Sequence, residues 1–158
     1  MAVRHGDGNW PGLEAARLCP ERLFAVCSPG LVPKFGDRFA AVDLLKLPLL
    51  HHDDREIWVD WFKAAGVPGV DLSRGPVMNR AAMLIDAAVN GQGVALTCTT
   101  LAAADIRSGR LVRPVAFSLQ LKKSYWIVCP KSSAGLPKVK LFKDWLMKEA
   151  AEDARLLA

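Results

Sequence analysis

The chain has 158 residues, of which 51% are hydrophobic and 23% charged, with a formal net charge of +5. That length holds one ordinary domain or two small lobes, and the composition is that of a soluble globular protein. No apolar run approaches the roughly 18–20 residues of a membrane span, and the opening Met1-Ala-Val-Arg-His-Gly-Asp7 has no apolar signal core. No membrane span is therefore expected, and a cytoplasmic location follows by default.

In chain order, Ala2–His5 reads as a short strand, with turn signals at Gly6-Asp-Gly8 and Trp10-Pro-Gly12. Leu23–Cys27 is a continuous apolar run closed by Ser28-Pro-Gly30, the pattern of a buried strand. Phe39–Leu45 reads as a short helix stopped by Pro48, and Leu49–His52 as a further strand. Arg55–Ala65 places Trp58, Trp61, Phe62 and Ala65 at helical spacing, with Asp53 or Asp54 as cap and Gly66 and Pro68 as stop. The next helix, Asn79–Asn90, has Asn79 as its natural cap and Gly91 as its stop, and is apolar around much of its circumference, so it is expected to be largely buried.

Val94–Thr97 reads as a strand and Thr100–Ile106 as a helix capped by Thr99 or Thr100, with Gly109 beyond its end. Leu111–Val115 is extended, and Pro114 suggests a sheet edge. Tyr125–Cys129 is a second strong strand. Pro137 to about Ala151 closes the chain as an amphipathic helix whose apolar face is Val139, Phe142, Trp145 and Leu146. Strands alternate with helices, which predicts an α/β architecture with largely parallel pairing.

Candidate chemistry is sparse. Cys19, Cys27, Cys98 and Cys129 are too widely spaced for a zinc cluster and read as buried thiols. His51 and His52 are neighbours on a strand and point to opposite faces, so they do not share a metal without a bend. Asp53 and Asp54 are better explained as helix caps. No local signature supports a Cys–His nucleophile pair. Gly91-Gln-Gly93 follows a helix, whereas a dinucleotide loop follows a strand, so it reads as a helix stop. No catalytic residue, metal or cofactor is expected.

Residues 106–142 contain no acid but carry Arg107, Arg110, Arg113, Lys122, Lys123, Lys131, Lys138 and Lys140. Such a stretch can steer an anion or a phosphate backbone. The alternation of these charges with apolar residues fits the exposed sides of packed elements better. Trp58, Trp61 and Trp145 fall on apolar helix faces and read as core; Trp126 is the indole to watch. At the start of the Asn79 helix, free N–H groups, the positive end of a dipole and Arg80 together could receive a carboxylate, sulfate or phosphate. A capped helix with a solvated Arg80 fits those residues equally well.

The order and wording of six segments resemble the effector-binding domain of LysR-type transcriptional regulators, in the branch of glycine-cleavage activators and β-lactamase regulators. They are AVRHGDGNWPGL (Ala2–Leu13), LFAVCSPGLV (Leu23–Val32), LLKLPLLHHD (Leu44–Asp53), AAVNGQGVAL (Ala87–Leu96), GRLVRPV (Gly109–Val115) and YWIVCPKSS followed by VKLFKDWL (Tyr125–Leu146). The resemblance implies a fold like the type II periplasmic binding proteins, with two α/β lobes joined by crossing strands near Leu23–Ser28 and Tyr125–Pro130. Residues 1–23 and 125–158 would form a partial lobe I, and residues 24–124 lobe II. The winged helix-turn-helix and the first part of lobe I have no counterpart in this sequence, so DNA would be bound only through a domain outside it.

The ligand contacts that the resemblance implies are Met78, Asn79 and Arg80 at the lobe II helix, Thr97 at a strand end, Tyr125 and Trp126 on the returning crossover, and Arg4 and His5 at the first hinge. This branch often has Asp-Ser where the chain has Asn79-Arg80, which tilts the ligand toward an anion. The partners implied are a small-molecule effector and other copies in a homodimer or tetramer, with no membrane. The mechanism implied is a shift in lobe and oligomer geometry on effector binding. Two alternatives stay open: a fragment of a solute-binding transport protein, and a small α/β hydrolase or transferase using His51 or a cysteine.

Overall fold

The computed structural model describes residues 1–32, 39–53 and 55–156, and divides into two compact units: Met1–Arg22 with Gln120–Ala158, and Leu23–Leu119. The chain passes between units at Arg22–Leu23 and again at Leu119–Gln120. The second passage precedes the expected crossing at Tyr125–Pro130, which in the structure is the central strand of the first unit.

That first unit is a three-stranded sheet in the order β1-β8-β2, with β1 at Ala2–Gly6, β2 at Leu13–Cys19 and β8 at Ser124–Pro130. Both outer strands run antiparallel to β8. Strand β2 was not expected, because Leu13-Glu-Ala-Ala-Arg-Leu consists of good helix formers. Pairing with β8 overrides that preference, at the cost of an irregular register between Arg17 and Cys19. Helix α4 (Pro137–Leu156) packs on β2, and Lys143 Nζ donates to Glu14 Oε1 at 3.2 Å.

The expected apolar face of α4 needs correction. Val139 and Leu146 are half-buried, but Phe142 and Trp145 are 47% and 52% exposed and Leu141 is 78% exposed. The face that docks on the sheet is Val139, Lys143, Leu146, Met147 and Ala150, one step around the helix.

The second unit is built on a five-stranded sheet, β5-β4-β6-β3-β7. Its strands are β3 (Arg22–Val26), β4 (Leu49–His52), β5 (Val77–Met78), β6 (Val94–Cys98) and β7 (Ser118–Gln120). Strand β4 runs parallel to β5 and β6, whereas β3 runs antiparallel to β6. Pairing is thus mixed here and wholly antiparallel in the first unit, where largely parallel pairing was expected: β1 and β8 meet from opposite ends of the chain, and no crossover helix joins consecutive strands of that sheet. The two-residue β5 and three-residue β7 are too short to carry a period. The extended Leu111–Val115 segment contributes one antiparallel bridge, Val112 to Cys27, and not an edge strand.

Three helices flank this sheet: α1 (Glu56–Ala64), α2 (Ala81–Val89) and α3 (Thr99–Arg107). Each ends in the same way. A glycine with positive φ (Gly66 at 83°, Gly91 at 72°, Gly109 at 73°) turns the chain, and the next N–H reaches five residues back: Val67 to Phe62, Gln92 to Ala87 and Arg110 to Asp105. The starts differ from expectation. The residues at the caps are Arg55, Arg80 and Cys98, none with a side-chain capping bond, instead of Asp53, Asn79 and Thr99 or Thr100. Asp53 sits at φ 51° with its carboxylate 3.4 Å from His52 Nδ1, and Asp54 lies outside the described residues. The expected Phe39–Leu45 helix is a 3-10 stretch, Ala41–Lys46, with Leu44 fully buried.

The second unit's core is aromatic. Trp58, Trp61 and Phe62 lie at i, i+3 and i+4 on α1 and are all 0% exposed. The two indole rings meet edge to face at 5.7 Å, and Phe62 stacks on Trp58 at 5.3 Å. Trp58 Nε1 donates to the Leu50 carbonyl at 2.9 Å and Trp61 Nε1 to the Leu23 carbonyl at 3.2 Å. Among the described residues no helix is long and apolar enough to cross a membrane.

Trp58→Ala is expected to destabilise the chain by about 3–5 kcal/mol, since it opens a large cavity and strips a buried carbonyl of its donor. Val59→Ala, on the exposed side of the same helix, is expected to change stability by less than about 0.5 kcal/mol. Urea midpoints for the two variants check both values.

Candidate ligand-binding site

In the second unit, the expected contacts converge on the carboxyl ends of parallel strands, where open α/β sheets characteristically receive ligands. Strand β5 ends at Met78, paired with His52, and leads through Asn79 and Arg80 into α2. Strand β6 ends at Cys98 and leads directly into α3. Strand β4 lies between them. Two helix N-termini therefore emerge from one end of one sheet, each presenting backbone N–H groups without a side-chain cap.

Asn79 and Arg80 are exposed, and Arg80 has extended backbone (φ −135°, ψ 127°). Thr97, next to the end of β6, is 5% exposed, and its Oγ1 is buried without a hydrogen-bond partner. A buried hydroxyl left unpaired costs free energy that a ligand oxygen would recover. The structure brings Met78, Asn79, Arg80 and Thr97 to the same end of this sheet.

His51, weighed as a catalytic residue, has another use. It is 0% exposed, and its Nε2 lies 2.8 Å from the Arg74 carbonyl oxygen. A carbonyl only accepts, so Nε2 carries the proton and Nδ1 does not. Burial pulls the imidazole below its ordinary pKa; the bond to Arg74 opposes this, and the nearby Arg55 guanidinium lowers it further. His52 on the opposite side of the strand is only half-buried. Cys27 is fully buried, and burial pushes its thiol up to about 11. Among the described residues no cluster of three or more His, Cys, Asp or Glu is placed to hold a metal.

In the first unit, Arg4 pairs with Trp126 and His5 with Tyr125 across β1 and β8. The His5 and Tyr125 rings lie 4.9 Å apart, and Trp126 Nε1 donates to the Gly6 carbonyl at 3.0 Å. Trp10 meets Trp126 edge to face at 6.4 Å. Gly8, at φ +91°, passes so close that a Cβ there would lie 2.4 Å from Trp126 Cζ2. Trp126 is thus held by Gly6, Gly8 and Trp10, and the first unit brings Arg4, His5, Tyr125 and Trp126 together on adjacent positions of one strand pair. Arg17, which sequence reading left unremarked, lies across from Trp126 on the other side of β8, and its guanidinium donates twice to Ser124 Oγ, at 3.0 and 2.7 Å. Only strand β2, itself unexpected, would have pointed to it.

Two residues of the basic stretch are tied down locally. Arg110 pairs with Asp105, and Arg113 lies 4.8 Å over the Phe24 ring while donating to the Ala116 carbonyl. The reading of these charges as flanks of packed elements holds for those residues.

A mixed α/β sheet that opens its strand ends between helix N-termini is the arrangement in which open α/β sheets receive ligands. The chain belongs to the LysR substrate binding domain family, which matches residues 1–151. It is 37% identical over 153 residues to the glycine cleavage system transcriptional activator of Escherichia coli K12, covering 97% of this chain and 50% of that protein. It is 32% identical over 155 residues to the transcriptional activator AmpR of Pseudomonas aeruginosa, covering 98% of this chain and 51% of that one. The chain therefore spans about half the length of these regulators. Among solved structures, the effector domain of that AmpR superposes with a TM-score of 0.71 at 32% identity, covering 97% of this chain and 73% of the domain. The AmpR effector-binding domain of Citrobacter freundii gives 0.73 at 28% identity, covering 95% and 74%.

Because folded His51 is held neutral while the unfolded chain takes up a proton below about pH 6.5, stability is full above that pH and falls as pH drops toward the folded-state pKa. His51→Gln, which keeps a donor but cannot protonate, is expected to flatten that part of the slope in urea unfolding curves taken between about pH 7 and pH 5. Gly8→Ala is expected to displace the indole of Trp126, read as a change in near-ultraviolet circular dichroism with the far-ultraviolet spectrum unchanged.

Proposed function

We propose that this chain is the effector-sensing part of a LysR-type transcriptional regulator, and that the ligand it senses is a small anion. The observation that carries this is that the uncapped α2 N-terminus at Arg80 and the buried, unpartnered Thr97 hydroxyl lie at the same end of the sheet, beyond β5 and near the end of β6, with β4 between those strands. Backbone N–H groups, a guanidinium and a hydroxyl are the donors that a carboxylate or phosphate oxygen takes. Met78 and Asn79 flank these donors. Tyr125, Trp126, Arg4 and His5 are proposed as further contacts on the strength of the family resemblance. In this reading residues 1–23 and 125–158 are part of regulatory lobe I, and residues 24–124 are lobe II.

The same reading makes the protein cytoplasmic and non-enzymatic. It gives the chain no metal or organic cofactor, and assigns DNA binding to a separate domain. His51 is buried with its proton engaged on a main-chain carbonyl, and Cys27 is a poor nucleophile with its thiol pushed up to about 11. Both disfavour a hydrolase or transferase. Effector binding would act by favouring one arrangement of an oligomer over another. The exposed Leu141, Phe142 and Trp145 on α4 supply an apolar surface through which the chain self-associates.

Two measurements test the reading. Titration with inorganic phosphate and a panel of amino acids and organic acids, followed by thermal shift and calorimetry, is expected to show stabilisation by anions. Arg80→Ala is expected to weaken that affinity by about tenfold. Anion binding unaffected by Arg80→Ala removes the helix terminus from the site. In light scattering at micromolar concentration the chain is expected to be larger than a monomer, and Trp145→Lys to shift it toward one; a monomeric parent chain contradicts the self-association.

A further inference from the structure

The segment leading to α2 is positioned in an unusual way. From Asp71 to Val77 only Leu72 is buried, so little side-chain packing holds the segment in place. Its main-chain carbonyls are gripped instead. The Arg55 guanidinium, at the N-terminus of α1, donates from Nη1 to the Leu72 and Arg74 oxygens at 2.8 and 2.7 Å, and from Nη2 to the Gly75 oxygen at 2.9 Å. The same Arg74 oxygen accepts from His51 Nε2 at 2.8 Å. Two backbone bonds from β4 and the residue after it continue the line: His51 N–H to the Pro76 carbonyl at 3.0 Å and Asp53 N–H to the Met78 carbonyl at 2.9 Å. Gly75, at φ +101°, lets the chain lie against β4; a Cβ there would fall 2.1 Å from the Leu49 oxygen.

We infer that Arg55 and His51 are positioning residues: together they clamp the carbonyls of Leu72, Arg74 and Gly75 and so set where Met78, Asn79 and Arg80 present the α2 N-terminus. The inference deepens the anion-site reading above and rests on it for its functional half. The geometry suits a planar guanidinium, which offers several donors in a fixed fork and reaches three carbonyls at once; a lysine ammonium is a point donor and cannot span them. His51 adds a neutral donor from the opposite element. Its bare Nδ1 is buried, so a second proton there would place a cation beside Arg55 with no partner for it. The side chain of Arg74, whose carbonyl is the shared acceptor, takes no part in the clamp.

Amide hydrogen exchange and phosphate calorimetry on the whole chain separate the clamp from the site. In Arg55→Ala, exchange at the His51 and Asp53 amides, which bond Pro76 and Met78, is expected to rise by about tenfold or more, while the amides of α1 beside Trp61 keep their protection. Arg55→Lys is expected to give an intermediate rise, and Arg74→Ala none. Affinity for inorganic phosphate is expected to fall by about tenfold in Arg55→Ala. Unchanged exchange at His51 and Asp53 in both Arg55 variants overturns the clamp. Faster exchange with undiminished phosphate affinity overturns its positioning role. Faster exchange in a protein whose unaltered form binds no phosphate leaves the clamp standing and overturns the anion-site reading instead.

Discussion

Two indole N–H groups on a single helix organise the second unit. Trp58 and Trp61 are wholly buried, yet each ends in a polar group that water can no longer reach. Each satisfies it on a strand carbonyl, Leu50 on β4 and Leu23 on β3. Helix α1 is thereby referenced to two strands on either side of β6, and the register of the sheet cannot slip without orphaning a donor. Because Arg55 sits one residue before that helix, fixing α1 also fixes the guanidinium that grips the carbonyls of Leu72, Arg74 and Gly75. The core and the candidate site are coupled through one short helix.

The periodic elements were legible in the sequence, and the reasons are local. Trp58, Trp61 and Phe62 announce a buried helix face by spacing alone. Leu23–Cys27 announces a buried strand by its unbroken apolar run, and Gly66, Gly91 and Gly109 announce the stops. What could not be read locally was decided by partners. Strand β2 is spelled in helix-forming residues and becomes a strand only because β8 offers it a ladder. The helix starts were misassigned by one or two residues because Asp53, Asn79 and Thr99 are good caps in isolation, while the chain enters each helix from a strand whose direction is already set. Phe142 and Trp145 follow the helical period, but α4 docks through the neighbouring stripe.

The candidate site was half legible. Met78, Asn79, Arg80 and Thr97 were singled out through resemblance to a family, and the sheet places all four at the ends of its strands. Residue chemistry alone had left Arg80 equally compatible with a solvated helix cap, and the added physical information is the buried Thr97 hydroxyl, invisible until β6 has neighbours. The carbonyl clamp had no sequence signal at all. By sequence His51 reads as a possible acid or base and Arg55 carries no signal, because the groups they hold are peptide oxygens that every residue possesses.

That indifference to side-chain identity has an evolutionary corollary. A segment whose path is dictated by grips on its peptide oxygens leaves the side chain of Arg74 free to drift. The same lineage can then change charge or bulk along this loop without renegotiating the scaffold beneath. Gly75 and Arg55 are the exceptions, since one admits no side chain and the other no shorter reach. Sequence change would then accumulate on the outward side of this loop first, with the helix it leads into staying where it was.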